Sequence, residues 1–265
     1  MWGMKLAVSN IAWDSVNDNK IYNCMKAIGF TGLEIAPTRI FPDAPYDCLK
    51  EAKQWKENLL EKYGFCVPSM QSIWFGRQEN IFGTHRERNL LTIYTKKAID
   101  FAAEIDCGNL VFGCPKNRNI PEGGNADAAV SFFKELGDYA RAKGTVIGME
   151  ANPAIYNTNY INDTRAALEL IQEVDSDGFK LNLDVGTMIQ NNEAVEVLRG
   201  QVSRINHVHI SEPHLKPIEK RALHQELADL FIQEKYQGFI SIEMGKVEDV
   251  TVMEKRMKYI QEVFG

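Results

Sequence analysis

The stretch KLNLDVGTMIQNNEAVEVLRGQVSRINHVH, from Lys180 to His209, decides the fold. It opens with the short apolar run Lys180–Asp184 and closes with a second one, Ile205–His209, and each run ends in a polar side chain. About twenty residues separate the two runs, which is enough chain for a crossover between parallel strands. We therefore interpret this stretch as one strand–crossover–strand unit of a parallel sheet.

The same unit recurs along the whole chain. Short apolar runs alternate with longer amphipathic segments, which predicts parallel strands joined by helices. Roughly eight such units in 265 residues are typical of an α/β protein with a single (β/α)8 TIM barrel. The predicted strands are Lys5–Ser9, Gly32–Ala36, Cys66–Gln71, Asn109–Gly113, Val146–Glu150, Lys180–Asp184, Ile205–His209 and Phe239–Glu243. The predicted helices include Tyr46–Lys62, Glu87–Glu104, Asp127–Ala142, Thr164–Val174, Arg221–Lys235 and Thr251–Val263.

Glycines and loop lengths add detail to this prediction. A glycine stands just before four of the strands, where a left-handed residue commonly ends a helix: Gly29, Gly64, Gly144 and Gly238. The longest irregular segments follow the second to fifth strands, and in a barrel they share the face that carries the chemistry. No linker interrupts the pattern, so we expect one domain over residues 1–265, with Met1–Gly3 ahead of the first strand.

The composition restricts the class of protein and its partners. A net charge of −6 argues against a nucleic-acid or anionic-membrane binder, which would carry a basic face. The five cysteines include no CxxC pair, and their odd number indicates free thiols in a reducing compartment. No apolar run reaches the ~20 residues of a membrane span, and the N-terminus lacks a signal-peptide pattern. We therefore expect a cytoplasmic protein without a membrane partner.

Four consecutive predicted strands end in a good metal ligand: Glu150, Asp184, His209 and Glu243. Side chains alternate along a strand, so the residue two positions earlier points the same way. These earlier residues are all small or polar: Gly148, Asn182, His207 and Ser241. They suit a polar site, in which Asn182 and His207 are expected to support the ligands rather than bind the ion.

A single carboxylate at a strand end is as often a surface residue or a helix N-cap as a ligand. Four ligand types on consecutive strands favour a shared site, because three carboxylates brought together would repel one another without a cation. Carboxylates and one imidazole suit a hard or borderline ion with open positions for substrate oxygens. Mn²⁺ is the first choice for one bound divalent ion, with Mg²⁺, Co²⁺ and Zn²⁺ as alternatives.

The chain resembles the xylose isomerase-like barrels, a superfamily of sugar phosphate isomerases and epimerases that includes AP endonuclease 2-like proteins. It also contains ketose 3-epimerases, hydroxypyruvate isomerase and inosose dehydratase. The resemblance covers nearly the whole chain and rests on these residues: Gly32–Ile35, Val111–Gly113, Glu150, Asp184, His209 and Ser241–Glu243. It implies that Glu150, Asp184, His209 and Glu243 bind one divalent metal, and that Glu150 and Glu243 also transfer protons.

The resemblance implies a metal-dependent isomerase or epimerase acting on a small carbohydrate or polyol-like carbonyl compound, free or phosphorylated. A dehydratase of the inosose type would use the same site, and a barrel that only binds a metabolite is a third interpretation. An endonuclease IV-type activity is disfavoured because the third and fourth strands lack extra histidines and the acidic charge opposes DNA binding. Members of the superfamily often pair, so a homo-oligomer is a further expectation.

Two departures from the family pattern put the particular substrate in doubt. Thr187 stands three residues after Asp184, where many members have histidine, and Lys216 is the nearest cation after His209, where many have arginine. Lysine lacks the bidentate fork of arginine. The candidates for substrate contacts are Gln71, Lys116, Arg118, Thr187, Lys216 and His224. Core packing, helix capping or a solvated basic loop are the competing roles for these residues, as they are for Glu34, Arg39 and Trp74 near the mouth.

Overall fold

The computed structural model describes residues 3–265, so the first two residues of the predicted domain lie outside it. Within that range the strands are β1 Lys5–Ser9, β2 Gly32–Glu34, β3 Leu110–Phe112, β4 Ile147–Met149, β5 Phe179–Asp184, β6 Ile205–Ile210 and β7 Phe239–Ile242. They form one curled parallel sheet in the order β2–β1–β7–β6–β5–β4–β3. The α/β barrel prediction is confirmed.

The third predicted strand, Cys66–Gln71, is where the sheet departs from the expected eight strands. This segment makes single bridges instead of a ladder, and Met70 bridges to Ile35 on one side and to Leu110 on the other. Pro68 lies in the middle of the segment and has no N–H to donate, which interrupts regular pairing. The segment therefore closes the gap between β2 and β3 without forming a strand of its own.

Helices connect the strands on the outside of the sheet. Their bounds are α1 Asp18–Ile28, α2 Pro37–Ile40, α3 Leu49–Tyr63, α4 His85–Glu104, α5 Asp127–Ala142, α6 Thr164–Val174, α7 Val185–Asn191, α8 Ala222–Gln233 and α9 Val250–Phe264. The six predicted helices agree with α3–α6, α8 and α9 within three residues. Of α1 only the C-terminal end, at Gly29, was predicted, and the short α2 and α7 were not predicted. None of the helices within residues 3–265 is both long and apolar enough to cross a membrane.

Three of the four predicted glycine helix ends are in the left-handed conformation, and the fourth is not. Gly29, Gly64 and Gly144 have φ values of 97°, 78° and 77°. The positive φ after α8 falls instead on Lys235, at 58°. Gly238 serves close packing, because a Cβ there would lie 2.2 Å from the hydroxyl oxygen of Tyr236.

The interior of the barrel differs from its outer layer. Apolar side chains fill the space between helices and sheet, as at Phe133, Leu183 and Ile240, which are 0% exposed. Inside the barrel, by contrast, Asn182, His207 and Ser241 are at most 1% exposed. Polar groups buried this deeply usually have hydrogen-bond partners. Asn182 donates to Glu150, whereas Nε2 of His207 and Oγ of Ser241 have no such partner within the described residues.

Candidate metal centre

Glu150, Asp184, His209 and Glu243 converge at the carboxyl end of the barrel. Each offers one ligand atom, and these atoms all lie within 4.8 Å of one another. Asp184 ends β5, Glu150 and Glu243 directly follow β4 and β7, and His209 is the penultimate residue of β6. Nδ1 of His209 lies 3.0 Å from Oε1 of Glu150 and 3.2 Å from Oε2 of Glu243. The structure thus brings together the four residues that the sequence singled out.

The electrostatics of this cluster suit a divalent cation. Three carboxylates sit together with little access to water, since Glu150 and Glu243 are each 8% exposed. Burial raises the pKa of Glu243 to about 7, although His209 opposes the shift. Burial and then the neighbouring Glu150 carboxylate raise the pKa of Asp184. Oxygen and imidazole donors without a thiolate are the ligand set of a hard or borderline ion, so the residues fit one divalent metal.

Asp184 is held by residues on either side of it. Its Oδ2 accepts the backbone N–H of Thr187 at 2.8 Å and lies 2.7 Å from the hydroxyl of Thr187. Its Oδ1 accepts a hydrogen bond from Ser211, whose hydroxyl in turn accepts the N–H of Gly186 at 2.8 Å. Asp184 is also the N-cap of α7. Thr187, a predicted substrate contact, therefore lies beneath the ligand, where it orients the carboxylate.

Glu150 is held through amide groups. Nδ2 of Asn182 donates to its Oε1 at 2.9 Å, and Nδ2 of Asn152 donates to its Oε2 at 3.1 Å. Arg118 then supports Asn152, with 2.9 Å between Nη2 and Oδ1, and donates to the carbonyl oxygen of Glu150 at 2.8 Å. Because Arg118 is 0% exposed and bound to these groups, the structure places it behind the site. The expectation that Arg118 contacts the substrate is corrected.

His209 is approached from below by Glu34, which is 0% exposed. Oε2 of Glu34 lies 2.9 Å from Nε2 of His209. Burial raises the pKa of the Glu34 carboxyl, but His209 and His207 outweigh it and hold that pKa well below the usual range. Glu34 was expected at the mouth with Arg39. Arg39 instead pairs with Asp18 at 2.6 Å.

Glu150, Asp184 and Glu243 line a cavity of about 410 Å³, which is within the usual size of small-molecule sites. His209 is 0% exposed and is not part of the wall. Of the predicted substrate contacts, Gln71 and Lys116 line the cavity, and Trp74 does as well. Lys216 is exposed and is not part of the wall. His224 is buried in α8, with Nδ1 2.9 Å from the hydroxyl of Tyr259, because its helix turns it toward α9. Neither of these two residues reaches the cavity.

Several residues of the site escaped the sequence analysis. Tyr156 and Glu212 line the cavity, and Glu212 is held by Arg221 and by the backbone N–H of Glu219 at 3.0 Å. Asn152 and Ser211 each stand two positions after a predicted ligand, so the alternation of side chains could have identified them. Tyr156 and Glu212 carry no comparable pattern, because loop conformation decides where they point.

The family model of xylose isomerase-like TIM barrels matches residues 24–263 of the chain. The chain belongs to this family. Comparison with curated protein sequences gives no significant match. The assignment to the family therefore rests on the family model, and the solved structures that follow show the same fold.

Solved structures share this xylose isomerase-like fold over nearly the full length of both chains. D-psicose 3-epimerase from Clostridium cellulolyticum H10 has a TM-score of 0.78 and 16% identity, covering 98% of this chain and 99% of its own. For 3-keto-D-glucoside 4-epimerase from E. coli the TM-score is 0.77 and the identity 20%, covering 98% of this chain and 99% of its own. For an AP endonuclease, family 2, from Brucella melitensis the TM-score is 0.73 and the identity 18%, covering 99% of this chain and 100% of its own. At such low identities these likenesses establish the fold.

Gly113, within a motif that carries the family resemblance, makes room for Glu150. A Cβ at position 113 would lie 2.6 Å from Oε2 of Glu150, so Gly113→Ala should displace the carboxylate while leaving the fold intact. We expect the affinity for Mn²⁺ to fall about 10–100-fold, as when a supporting group of a metal ligand is lost, measured by calorimetric titration. Gly108→Ala is the control, because its Cβ would meet nothing closer than 3.8 Å. Equal affinities of the two variants would contradict this role for Gly113.

Metal binding by this xylose isomerase-like barrel should strengthen as the pH rises. Metal ligands bind in their deprotonated form, and the pKa of Glu243 is about 7 in the absence of metal. Below pH 7, each further drop of one pH unit should therefore weaken the apparent Mn²⁺ affinity about tenfold, because the metal has to displace the proton on Glu243. The carboxylates around His209 outweigh its burial and raise its pKa well above the usual value, so the dependence continues above pH 7. Titrations at pH 6, 7 and 8 measure this slope, and a constant affinity would contradict it.

Proposed function

We propose that this chain is a divalent-metal-dependent isomerase or epimerase that acts on a small carbohydrate by proton transfer next to a carbonyl group. The observation that carries the proposal is the convergence of Glu150, Asp184, His209 and Glu243 beneath a cavity of about 410 Å³. In barrels of this kind, chemistry takes place at this end of the strands. All four side chains would hold the ion.

When bound, a divalent ion polarises a carbonyl oxygen and stabilises the negative charge that develops on it. Glu150 and Glu243 lie on opposite sides of His209 along the sheet, because β6 separates β7 from the β5–β4 side. One carboxylate can remove the proton beside the carbonyl, and the other can return it.

The structural neighbours favour epimerisation within this chemistry. Their names include D-psicose 3-epimerase, 3-keto-D-glucoside 4-epimerase and L-ribulose 3-epimerase, all of which change the configuration of a sugar carbon. A dehydratase would use the same four residues and would differ in the loss of a hydroxyl group. The endonuclease name of another neighbour is not extended to this chain, because its net charge is −6 and duplex binding relies on basic contacts.

The cavity wall favours an unphosphorylated substrate. Among residues 3–265, two cationic side chains line it, Arg77 and Lys116. The guanidinium of Arg77 is already paired with Glu79. Phosphate recognition usually draws on several convergent donors or a bidentate arginine. The remaining wall offers hydroxyl and amide groups, such as Gln71 and Tyr156, which suit the hydroxyl groups of a sugar.

Metal analysis together with proton exchange tests the proposal. The purified protein, reconstituted with Mn²⁺, should contain about one equivalent by elemental mass spectrometry. In D₂O it should exchange the proton beside the carbonyl of a responsive ketose or keto-glycoside, and chelation should stop this exchange. NMR of the sugar distinguishes the outcomes: an inverted centre supports an epimerase, a moved carbonyl supports an isomerase, and a lost hydroxyl group would support the dehydratase instead. A protein that binds sugars without metal and without exchange would refute the proposal.

A further inference from the structure

Glu34 is a buried carboxylate for which the proposed chemistry has no use. It ends β2 beneath the metal cluster and is 0% exposed. Its Oε2 lies 2.9 Å from Nε2 of His209, and its Oε1 accepts a hydrogen bond from Nε2 of Gln71 at 2.9 Å. Nε2 of His207 lies 3.0 Å from the same Oε2, without the alignment of a hydrogen bond. A carboxylate away from water is stable only where such donors surround it.

We propose that Glu34 is a positioning residue that accepts the Nε2–H of His209 and thereby holds the imidazole with an unprotonated Nδ1 facing the metal site. The proposal rests on the metal centre of the proposed function but not on any particular reaction. A neutral imidazole carries one N–H, and the nitrogen that binds a metal must be the one without it. A carboxylate on the other nitrogen fixes that choice and the orientation of the ring.

A chain of side-chain amides fixes the orientation of Asn182 on the opposite side of the imidazole. Nδ2 of Asn206 donates to the carbonyl oxygen of Gly108 at 3.0 Å, which fixes the orientation of this amide, and it also donates to Oδ1 of Asn109 at 2.9 Å. Nδ2 of Asn109 then donates to Oδ1 of Asn182 at 3.2 Å. Nδ2 of Asn182 therefore faces the metal cluster, 3.3 Å from Nδ1 of His209. Asn182 therefore cannot accept a proton from Nδ1, which faces only the carboxylates of Glu150 and Glu243. When an ion binds at those carboxylates, the proton on Nδ1 is the one released, and the proton beside Glu34 stays on Nε2.

The rival interpretation is a second metal ion between Glu34, His207 and His209, which offer ligand atoms within 4.8 Å of one another. The unpaired Nε2 of His207 is compatible with it. Against it, the 2.9 Å between Glu34 and His209 is an ordinary hydrogen-bond length, and Gln71 already occupies the other carboxylate oxygen. Neither Glu34 nor His207 lines the cavity. One equivalent of metal per chain is therefore expected.

The protonation of His209 can be read directly by NMR. The chain has five histidines, so the ring ¹⁵N spectrum of histidine-labelled, Zn²⁺-loaded protein is small enough to assign with single substitutions. His209 should carry its proton on Nε2. A proton on Nδ1 would overturn the proposal.

Glu34→Gln supplies the second measurement. The amide replaces an acceptor oxygen with an N–H₂ group that faces the donors Gln71 and His209, so the imidazole of His209 should lose its fixed orientation. We expect the affinity for Mn²⁺ to fall about 10–100-fold, measured by calorimetric titration. Thr145→Val is the control for general destabilisation, since it removes a buried hydrogen bond of 2.7 Å to the carbonyl of Cys107, outside the metal cluster. It should lower the melting temperature without changing the affinity.

The possible outcomes separate the two proposals. Wild-type protein that binds one ion, with an unchanged affinity in Glu34→Gln, would overturn the role of Glu34 and leave the proposed function standing. Wild-type protein that binds no divalent ion would overturn both. Two equivalents in wild-type protein, falling to one in His207→Gln, would overturn the positioning role by showing that Glu34 belongs to a second metal site.

Discussion

Glu243→Gln should lower kcat by about 10²–10⁴-fold while the protein still binds one divalent ion. The range is that of a lost general acid or base, and the amide oxygen of glutamine can still coordinate a metal. Glu243 is 8% exposed and lines the cavity, so it is placed to contact the substrate. Turnover at saturating Mn²⁺, measured on whichever sugar exchanges its proton, gives the value.

The variant also reports on the mechanism. If Glu150 and Glu243 serve opposite faces of the substrate, Glu243→Gln should still exchange the proton of one epimer through Glu150, without inverting the centre. Glu248→Gln is a matched control, because it removes an exposed carboxylate from the same loop. Wild-type turnover in Glu243→Gln would contradict its assignment as acid and base, whereas complete loss of metal would show that it serves mainly as a ligand.

Asp184→Asn should weaken the binding of Mn²⁺ while leaving the metal-free fold intact. Asparagine keeps an oxygen for the N–H of Thr187, which Asp184 accepts at 2.8 Å, and asparagine and aspartate are comparable N-caps. It removes one of the three anionic ligands, and the affinity should fall by more than the 10–100-fold typical of a supporting residue. Elemental mass spectrometry after desalting measures the loss.

Asp184→Ala separates the two roles of this side chain. It should lose metal as Asp184→Asn does, and in addition lose about 0.5–2 kcal/mol of stability because α7 loses its N-cap. Chemical denaturation of the metal-free proteins measures the difference. Equal stabilities would indicate that the cap contributes little, while full metal occupancy in either variant would remove Asp184 from the site.

The barrel and its four converging side chains could be predicted because both depend on local patterns. The runs that end in Glu150, Asp184, His209 and Glu243 carry the alternation of strands, and parallel strands of one barrel end at the same face. That is sufficient to bring the four together without knowing any loop. Asn182, predicted to support the ligands, does so by donating to Glu150 at 2.9 Å for the same reason.

The residues that were misplaced depend on contacts between distant parts of the chain. The sequence predicts Arg118 to be a surface cation in a basic loop, and only the fold shows that it donates to the carbonyl oxygen of Glu150. The sequence predicts Glu34 to lie at the mouth of the barrel. Its contact with His209 could not be foreseen, because the two residues are 175 positions apart. The bridging segment 66–71 has the composition of a strand, and the effect of Pro68 depends on what its neighbours offer for pairing.

The amide chain from Gly108 to Glu150 has a consequence for where inactive variants should be found. Its first member, Asn206, is partly exposed at the start of β6, on the face of the barrel opposite the cavity. A screen of random substitutions scored by activity should therefore recover positions on that closed face as well as around the opening. Asn206 would be among them, as a surface residue whose exchange disturbs a ligand that it never touches.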